Sequence, residues 1–283
     1  MKIGTSGWSY PHWNRLFYPP RLTDTQRLTF LARSFPTVEL NGSFYRLQHP
    51  DNFRRWRAAV PPDFEFAVKA SRYITHMLRL GGGAAPLGNF FAQGLLALGR
   101  QLGPILWQLP PQLAFDADRA RAFFSSLPPD LAAAERIARR HDARLAGRAL
   151  LTAPDEPRAR PLRHALEVRH ETWLSDQAYS LFIEHGIALV TADSAGRFPL
   201  SLTRTADFVY IRLHGARRLY GSRYTAAELA FWADRICEWA SDGCDVYVYF
   251  DNDNKAFAPG NALDLQSRVD ARLGGTRTPA APF

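Results

Sequence analysis

Short apolar runs that end in charged or amide residues recur along the chain. TVELN closes at Asn41, FEFAVKAS at Ser71, ILWQLP around Gln108 and HALEVRH at His170. ALVTAD to Asp193, FVYIRLHG to Gly215 and DVYVYFDND to Asp253 repeat the pattern. Stretches of helical periodicity lie between them, and that alternation specifies βα units and a parallel sheet. Strands are predicted at 2–8, 37–41, 65–70, 105–109, 165–169, 187–192, 208–213 and 245–250. Helices are predicted at 23–34, 50–60, 90–102, 176–185, 226–241 and 262–273, with a broken helix at 118–126 and 131–141. Little room for a helix remains after the sixth strand. The expected class is α/β, a TIM-type (β/α)8 barrel formed by residues 1–283 as one domain. Two segments stand apart: 147–163, rich in Pro and Arg, reads as a mobile excursion, and 274–283 as a fraying tail.

Parity decides which side chains meet, because alternate residues of a strand share a face. The aliphatic and aromatic positions Val38, Leu40, Phe66, Val68, Leu166, Val168, Val209, Ile211, Val246 and Val248 suit the helix-covered outside. That choice turns Glu39, Asn41, Lys69, Glu167, Arg169, Arg212, His214, Tyr249 and Asp251 inward, with Gln108 and Asp193 fitting the same scheme. Buried charges are costly unless paired, so part of this set must be salt-bridged. Two readings follow: a structural polar plug, or a functional pocket at the C-terminal mouth where barrel active sites are built.

Almost half of the 283 residues are hydrophobic, ample for a large core. No apolar stretch reaches the roughly 18–20 residues that span a bilayer, and Met1-Lys2 leads straight into Ile3-Gly4-Thr5 without a secretory h-region. The expectation is a cytoplasmic protein with no membrane partner. Cys237 and Cys244 show neither metal-ligand nor CxxC spacing and read as reduced thiols. A net charge of +8 raises nucleic acid as a partner. Lysine, however, occurs only at positions 2, 69 and 255, and the arginines are scattered, as a GC-rich coding sequence also produces. Neither a dinucleotide fingerprint nor a phosphate-cradling GxxxxGK[ST] is present.

The strings IGTSGWSYPHW with FYPP, VELNGSFYRL, FAVKASRYITH, ILWQLPP, LEVRHETW, YIRLHG and YVYFDNDNKAFAPGNAL resemble the YecE-like family, also called domain of unknown function 72. The resemblance runs through nearly the whole chain and implies a TIM barrel related to sugar isomerases. One departure is Asp251-Asn252, where the family usually carries two asparagines.

Three function classes fit the inward set. The first is acid–base catalysis on a small hydroxylated or anionic substrate. Glu39 or Glu167 would remove a proton, His214 or Lys69 would donate one, and Arg169 and Arg212 would grip an anionic group. Asn41, Gln108, Asp193, Tyr249, Asp251 and Trp8 complete the expected binding set. In loop 7, Arg217, Arg218 and Arg223 offer a phosphate site that Tyr220 and Tyr224 would close over, or a solvated basic turn. Lys69 could also form a Schiff base with a carbonyl, although carboxylate neighbours favour its charged form. The second class is a metal-dependent hydrolase or phosphodiesterase using Glu39, Glu167, His170, Asp193, His214 and Asp251. Opposite parity at His170 and three inward cations weigh against a divalent ion, so no cofactor is expected. The third is a non-catalytic nucleic-acid or anion-binding module that combines the arginines with Trp8, Tyr10, Trp13, Phe17 and Tyr18.

Overall fold

Nine strands are hydrogen-bonded in the order β6-β5-β4-β3-β2-β1-β9-β8-β7 in the computed structural model, which describes residues 1–154 and 156–274. They are β1 (Lys2–Ser6), β2 (Thr37–Leu40), β3 (Glu65–Lys69), β4 (Leu102–Gln108), β5 (His164–Glu167), β6 (Ala188–Leu189), β7 (Thr191–Asp193), β8 (Phe208–Leu213) and β9 (Asp245–Phe250). Every ladder is parallel. The two ends of the sheet, β6 and β7, are separated in sequence by Val190 alone. The expected sixth strand thus bonds β5 with its first half and β8 with its second, and the sheet curls into a nearly closed TIM-type barrel.

The helices are α1 (Asp24–Ser34), α2 (Gly42–Tyr45), α3 (Pro50–Ala58), α4 (Ala84–Ala92), α5 (Ala117–Ser126), α6 (Leu131–Ala138), α7 (Asp176–Glu184), α8 (Ala226–Ser241) and α9 (Phe257–Arg272). Capping boxes start α1 (Thr23 with Gln26) and α8 (Thr225 with Glu228), satisfying backbone N–H groups that the first turn leaves free. Among the described residues, no helix is long and apolar enough to cross a membrane.

Parity holds around the barrel. Ala67, Leu106, Ala165, Ala188, Val190, Ala192, Phe208, Tyr210, Tyr247 and Tyr249 pack together inside it. Val38, Phe66, Val68, Leu166, Val209, Ile211, Val246 and Val248 belong to the separate outer core under the helices. The Tyr210 and Tyr249 rings, 5.0 Å apart, floor the mouth. Gly4 faces this interior because nothing larger fits: a methyl group there would come within 2.2 Å of the Thr37 carbonyl oxygen. Gly4→Ala is therefore expected to cost about 1–3 kcal/mol or more by overpacking. A urea midpoint equal to the parent's would refute that.

Two expectations shift. The apolar segment 90–102 is not one helix: α4 ends at Ala92, a 3-10 run covers Leu95–Gln101, and β4 begins at Leu102. The break falls at Gly94, whose φ of 124° and close approach to Pro50 exclude a side chain. The final helix starts at Phe257, five residues early, with Pro259 tolerated in its first turn. Segment 147–163, Asp155 aside, bonds to neighbouring elements at several points. Leu150 N donates to Ala92 O (2.8 Å), Arg158 pairs with Glu135, and Arg160 donates to the Gly99 and Leu102 carbonyls (2.6 Å each). Residues 275–283 of the expected tail lie outside the described residues.

Candidate functional site

Arg212 is the centre of the mouth. It follows Phe208 and Tyr210 on the inner face of β8 and is only 1% exposed. Its Nε and Nη2 donate to the two oxygens of Glu39 from β2 (2.9 and 2.8 Å), the paired fork that suits a guanidinium to a carboxylate. Nη1 donates to Glu167 at the end of β5 (2.6 Å), and Nη2 to Asp251 just past β9 (3.0 Å). Glu39 also accepts from Ser6 Oγ (2.5 Å) and Tyr210 OH (2.8 Å), while Glu167 accepts from Arg169 Nε (2.8 Å). His214 Nδ1 lies 2.9 Å from Asp251, with Nε2 3.8 Å from Glu167. Backbone bonds from His214 N to Asp193 O and from Asp251 N to Leu213 O continue the ladder, which keeps these side chains turned inward.

The pairing overrides burial. Burial alone would raise the Glu167 carboxyl, but Arg169, Arg212, His214 and Lys69 hold it well below its ordinary value. Burial likewise opposes ionisation of Asp251, yet Arg212 and the His214 hydrogen bond bring it down to about 2. Arg212, which burial would lower, is pushed well up by Glu39, Glu167 and Asp251. Arg212, Glu39, Glu167, Asp251, Arg169 and His214 form a closed ionic core.

Beside it, the ends of β2, β3 and β4 are open. Lys69 is 8% exposed, and its amine makes no hydrogen bond among the described residues; Nζ sits 4.3 Å from the Phe44 ring centroid. Ser43 places that ring by donating from Oγ to the Lys69 carbonyl (2.7 Å), which ties α2 to β3. Burial first, then Arg212, lowers the Lys69 amine to about 8, against the pull of Glu39, Asp251 and Glu167. The Gln108 side chain is also buried and without a hydrogen bond among the described residues. Asn41 donates from Nδ2 to Ser6 Oγ (3.0 Å), but its buried Oδ1 has no partner.

His76 joins this open side from a π-helical turn over Tyr73–Met77, a local geometry frequent at functional sites. Its ring lies 5.3 Å from Phe44, and burial followed by the nearby Arg169 and Lys69 charges lowers it to about 4. Sequence reasoning missed this residue, although it ends the string FAVKASRYITH. Ser6 was missed too, yet parity from Gly4 would have turned it inward.

A family model described as "Protein of unknown function DUF72" matches residues 2–282. The chain belongs to the DUF72 family. It is similar to the UPF0759 protein YunF of Bacillus subtilis (strain 168), 23% identical over 305 residues and 96% of each chain. It is 29% identical over 119 residues to the UPF0759 protein YecE of Escherichia coli (strain K12), covering 37% of this chain and 41% of YecE. A DUF72 family protein from Thermotoga maritima MSB8 superposes with a TM-score of 0.75 at 25% identity, over 95% of this chain and 98% of that one. Another, from Enterococcus faecalis V583, shares the fold with a TM-score of 0.72 at 18% identity, over 95% of both chains.

Not every expected residue of this DUF72 chain reaches the mouth. Asp193 is a correction: Ala188, Val190 and Ala192 face inward, so Asp193 has the opposite parity and accepts from Tyr224 OH at 3.1 Å. Trp8 is another, packed edge-on against Trp56 (5.7 Å) in the outer core. Tyr249 does face inward but lies one layer too deep, its OH 2.8 Å from Thr37 Oγ1. His170 caps the turn at Glu171–Trp173. In loop 7, Tyr224 is buried rather than free to close, and Arg217 pairs with Glu228 (3.4 Å). Tyr220 leans over the site, its ring centroid 5.4 Å from that of His214 in an edge-on arrangement. Arg169 stacks on Phe198 at 4.3 Å while holding Glu167.

A cleft of about 680 Å³ lies elsewhere, lined by Arg54, Arg57, Arg100 and Gln101 among others. Residues just before β3 and β4 form it, so it opens at the N-terminal end of the barrel. Its arginines are engaged: Arg54 with Asp51, Arg57 with Ala97 O and Arg100 with Pro62 O. The paired charges around Arg212 lie at the opposite end of the barrel.

Proposed function

We propose that this DUF72 chain is a cofactor-independent enzyme performing acid–base chemistry on a small hydroxylated or anionic, sugar-like substrate at the C-terminal mouth. One observation carries the reading: Lys69, Gln108 and Asn41 Oδ1, on adjacent strands, keep unused hydrogen-bonding capacity beside a fully paired ionic core. Buried polar groups are ordinarily satisfied, so the orphaned Asn41 Oδ1, beside an unbonded amine and an unbonded amide at a barrel mouth, suits a ligand.

The roles differ from those that the strand pattern alone suggests. A carboxylate held far below its ordinary pKa is a weak base, so Glu167 is assigned, with Glu39, to positioning Arg212 and Arg169. Lys69, lowered to about 8, can both give and take a proton near neutrality. His214, held by Asp251, is the second proton carrier. Gln108 and Asn41 suit hydroxyl groups, and Lys69 in its charged form suits an anionic one. A metal-dependent mechanism would require the Arg212 guanidinium, which already joins Glu39, Glu167 and Asp251, to leave.

Calorimetric titration with a panel of sugar phosphates, aldonic acids and free sugars tests the reading. At least one anionic member is expected to bind, and Lys69→Met to weaken it tenfold or more, about 1.4 kcal/mol. Affinity for that ligand should fall as pH rises through about 8, where Lys69 loses its proton. Silence across the whole panel, or equal affinity in the variant, rejects it.

A further inference from the structure

Among the lysine, arginine and histidine side chains of the site, the Lys69 amine is the one with no hydrogen-bonded partner among the described residues. We infer that Lys69 is a nucleophile toward carbonyl carbon, so that the substrate class is a small aldehyde, ketone or 2-oxo acid, including open-chain sugars, held as a Schiff base. This rests on the same mouth as the proposed acid–base chemistry and narrows what it acts on.

Three features lead there. The first is access to the lone pair: Nζ lies against the Phe44 face at 4.3 Å and makes no hydrogen bond that attack would have to break. The remaining lysines differ, since Lys2 pairs with Glu65 at 3.3 Å and Lys255 is exposed on a 3-10 turn. The second is supply of the neutral form, because an amine lowered to about 8 is partly unprotonated near neutrality.

The third is charge. Around the mouth, Glu39, Glu167 and Asp251 face Arg212, Arg169 and Lys69, three against three. Attack by the neutral amine forms a C–N bond and sends the carbonyl π pair to oxygen, which takes a proton. The nitrogen then loses a proton, and the hydroxyl, protonated once more, leaves as water while the nitrogen lone pair closes the C=N bond. The net change is amine plus carbonyl plus one proton giving iminium plus water. The iminium carries the single positive charge that the ammonium form carried, so the three-against-three balance is kept. Its charge is spread over carbon and nitrogen and is less costly to bury than an ammonium. His214 and His76 stand at the mouth as carriers for the protons.

The test incubates the full-length protein with pyruvate, dihydroxyacetone phosphate or ribose 5-phosphate, reduces with sodium borohydride and maps adducts by peptide mass spectrometry. At least one probe is expected to label Lys69 tenfold or more above Lys2 and Lys255. Lys69→Met, with its fold checked by thermal melting, should abolish the excess labelling. Calorimetry on the same probes separates the failures. Probes that bind without labelling Lys69, or that label all three lysines alike, overturn the covalent inference and leave acid–base chemistry standing. If none of the probes binds, the carbonyl inference falls, and the broader sugar and sugar-acid panel decides the parent reading independently.

Discussion

Arg212→Met is expected to lower the unfolding free energy by roughly 3–5 kcal/mol at pH 7, read as a large drop in urea midpoint. Methionine roughly fills the volume, so the loss is chiefly electrostatic. Glu39, Glu167 and Asp251 would remain at the mouth without the guanidinium that takes five hydrogen bonds to them and to Ser6. The pH dependence identifies the cause. In the parent, Glu167 and Asp251 have depressed values, so their contribution is present above the ordinary carboxylate range and is lost as pH falls through the folded value, about 2 for Asp251. In the variant, burial acts without the guanidinium and raises these carboxyls. The penalty is then present at neutral pH and relieved on acidification. The gap between the two proteins should narrow from pH 7 toward 4. A gap below 1 kcal/mol, or one flat with pH, would show that the core is not the ionic unit described.

Lys69→Met should act in the opposite direction, raising stability by roughly 1–3 kcal/mol while weakening ligand binding. The parent amine is lowered from an ordinary value of 10.5 to about 8, which means that folding opposes its charged form. Below pH 8 the amine is protonated in both states, and the penalty is fully present. Between about 8 and 10.5 the folded amine sheds its proton and the penalty is relieved, so the stability gap should close there. The methionine would keep an apolar contact with Phe44, in place of the cation–π contact. A destabilised variant would mean that Lys69 holds the carboxylates together rather than standing beside them.

Much of the mouth was legible from strand parity. Glu39, Lys69, Glu167, Arg169, Arg212, His214 and Asp251 all converge, because each lies on or just past a strand whose alternate positions are aliphatic or aromatic. Period-2 geometry is local, so a run of six residues suffices to orient it. Asp193 failed because Leu189, Val190 and Ala192 are apolar on both faces, and alternation in that run is silent. Trp8 failed because it lies past Gly7, beyond the last β1–β2 register pair at Ser6 and Glu39, where parity no longer applies.

By itself, the sequence determined the α/β alternation, the barrel, the identity of the inward charged set and the family likeness. These depend on local period and on motifs along the chain. Only the tertiary structure decided which charges pair. A strand pattern orients a carboxylate without saying which guanidinium meets it 173 positions away, as Glu39 meets Arg212. The same holds for His76, brought to the mouth by a π-turn with no sequence period, and for Lys69, whose lack of a partner depends on every neighbour at once.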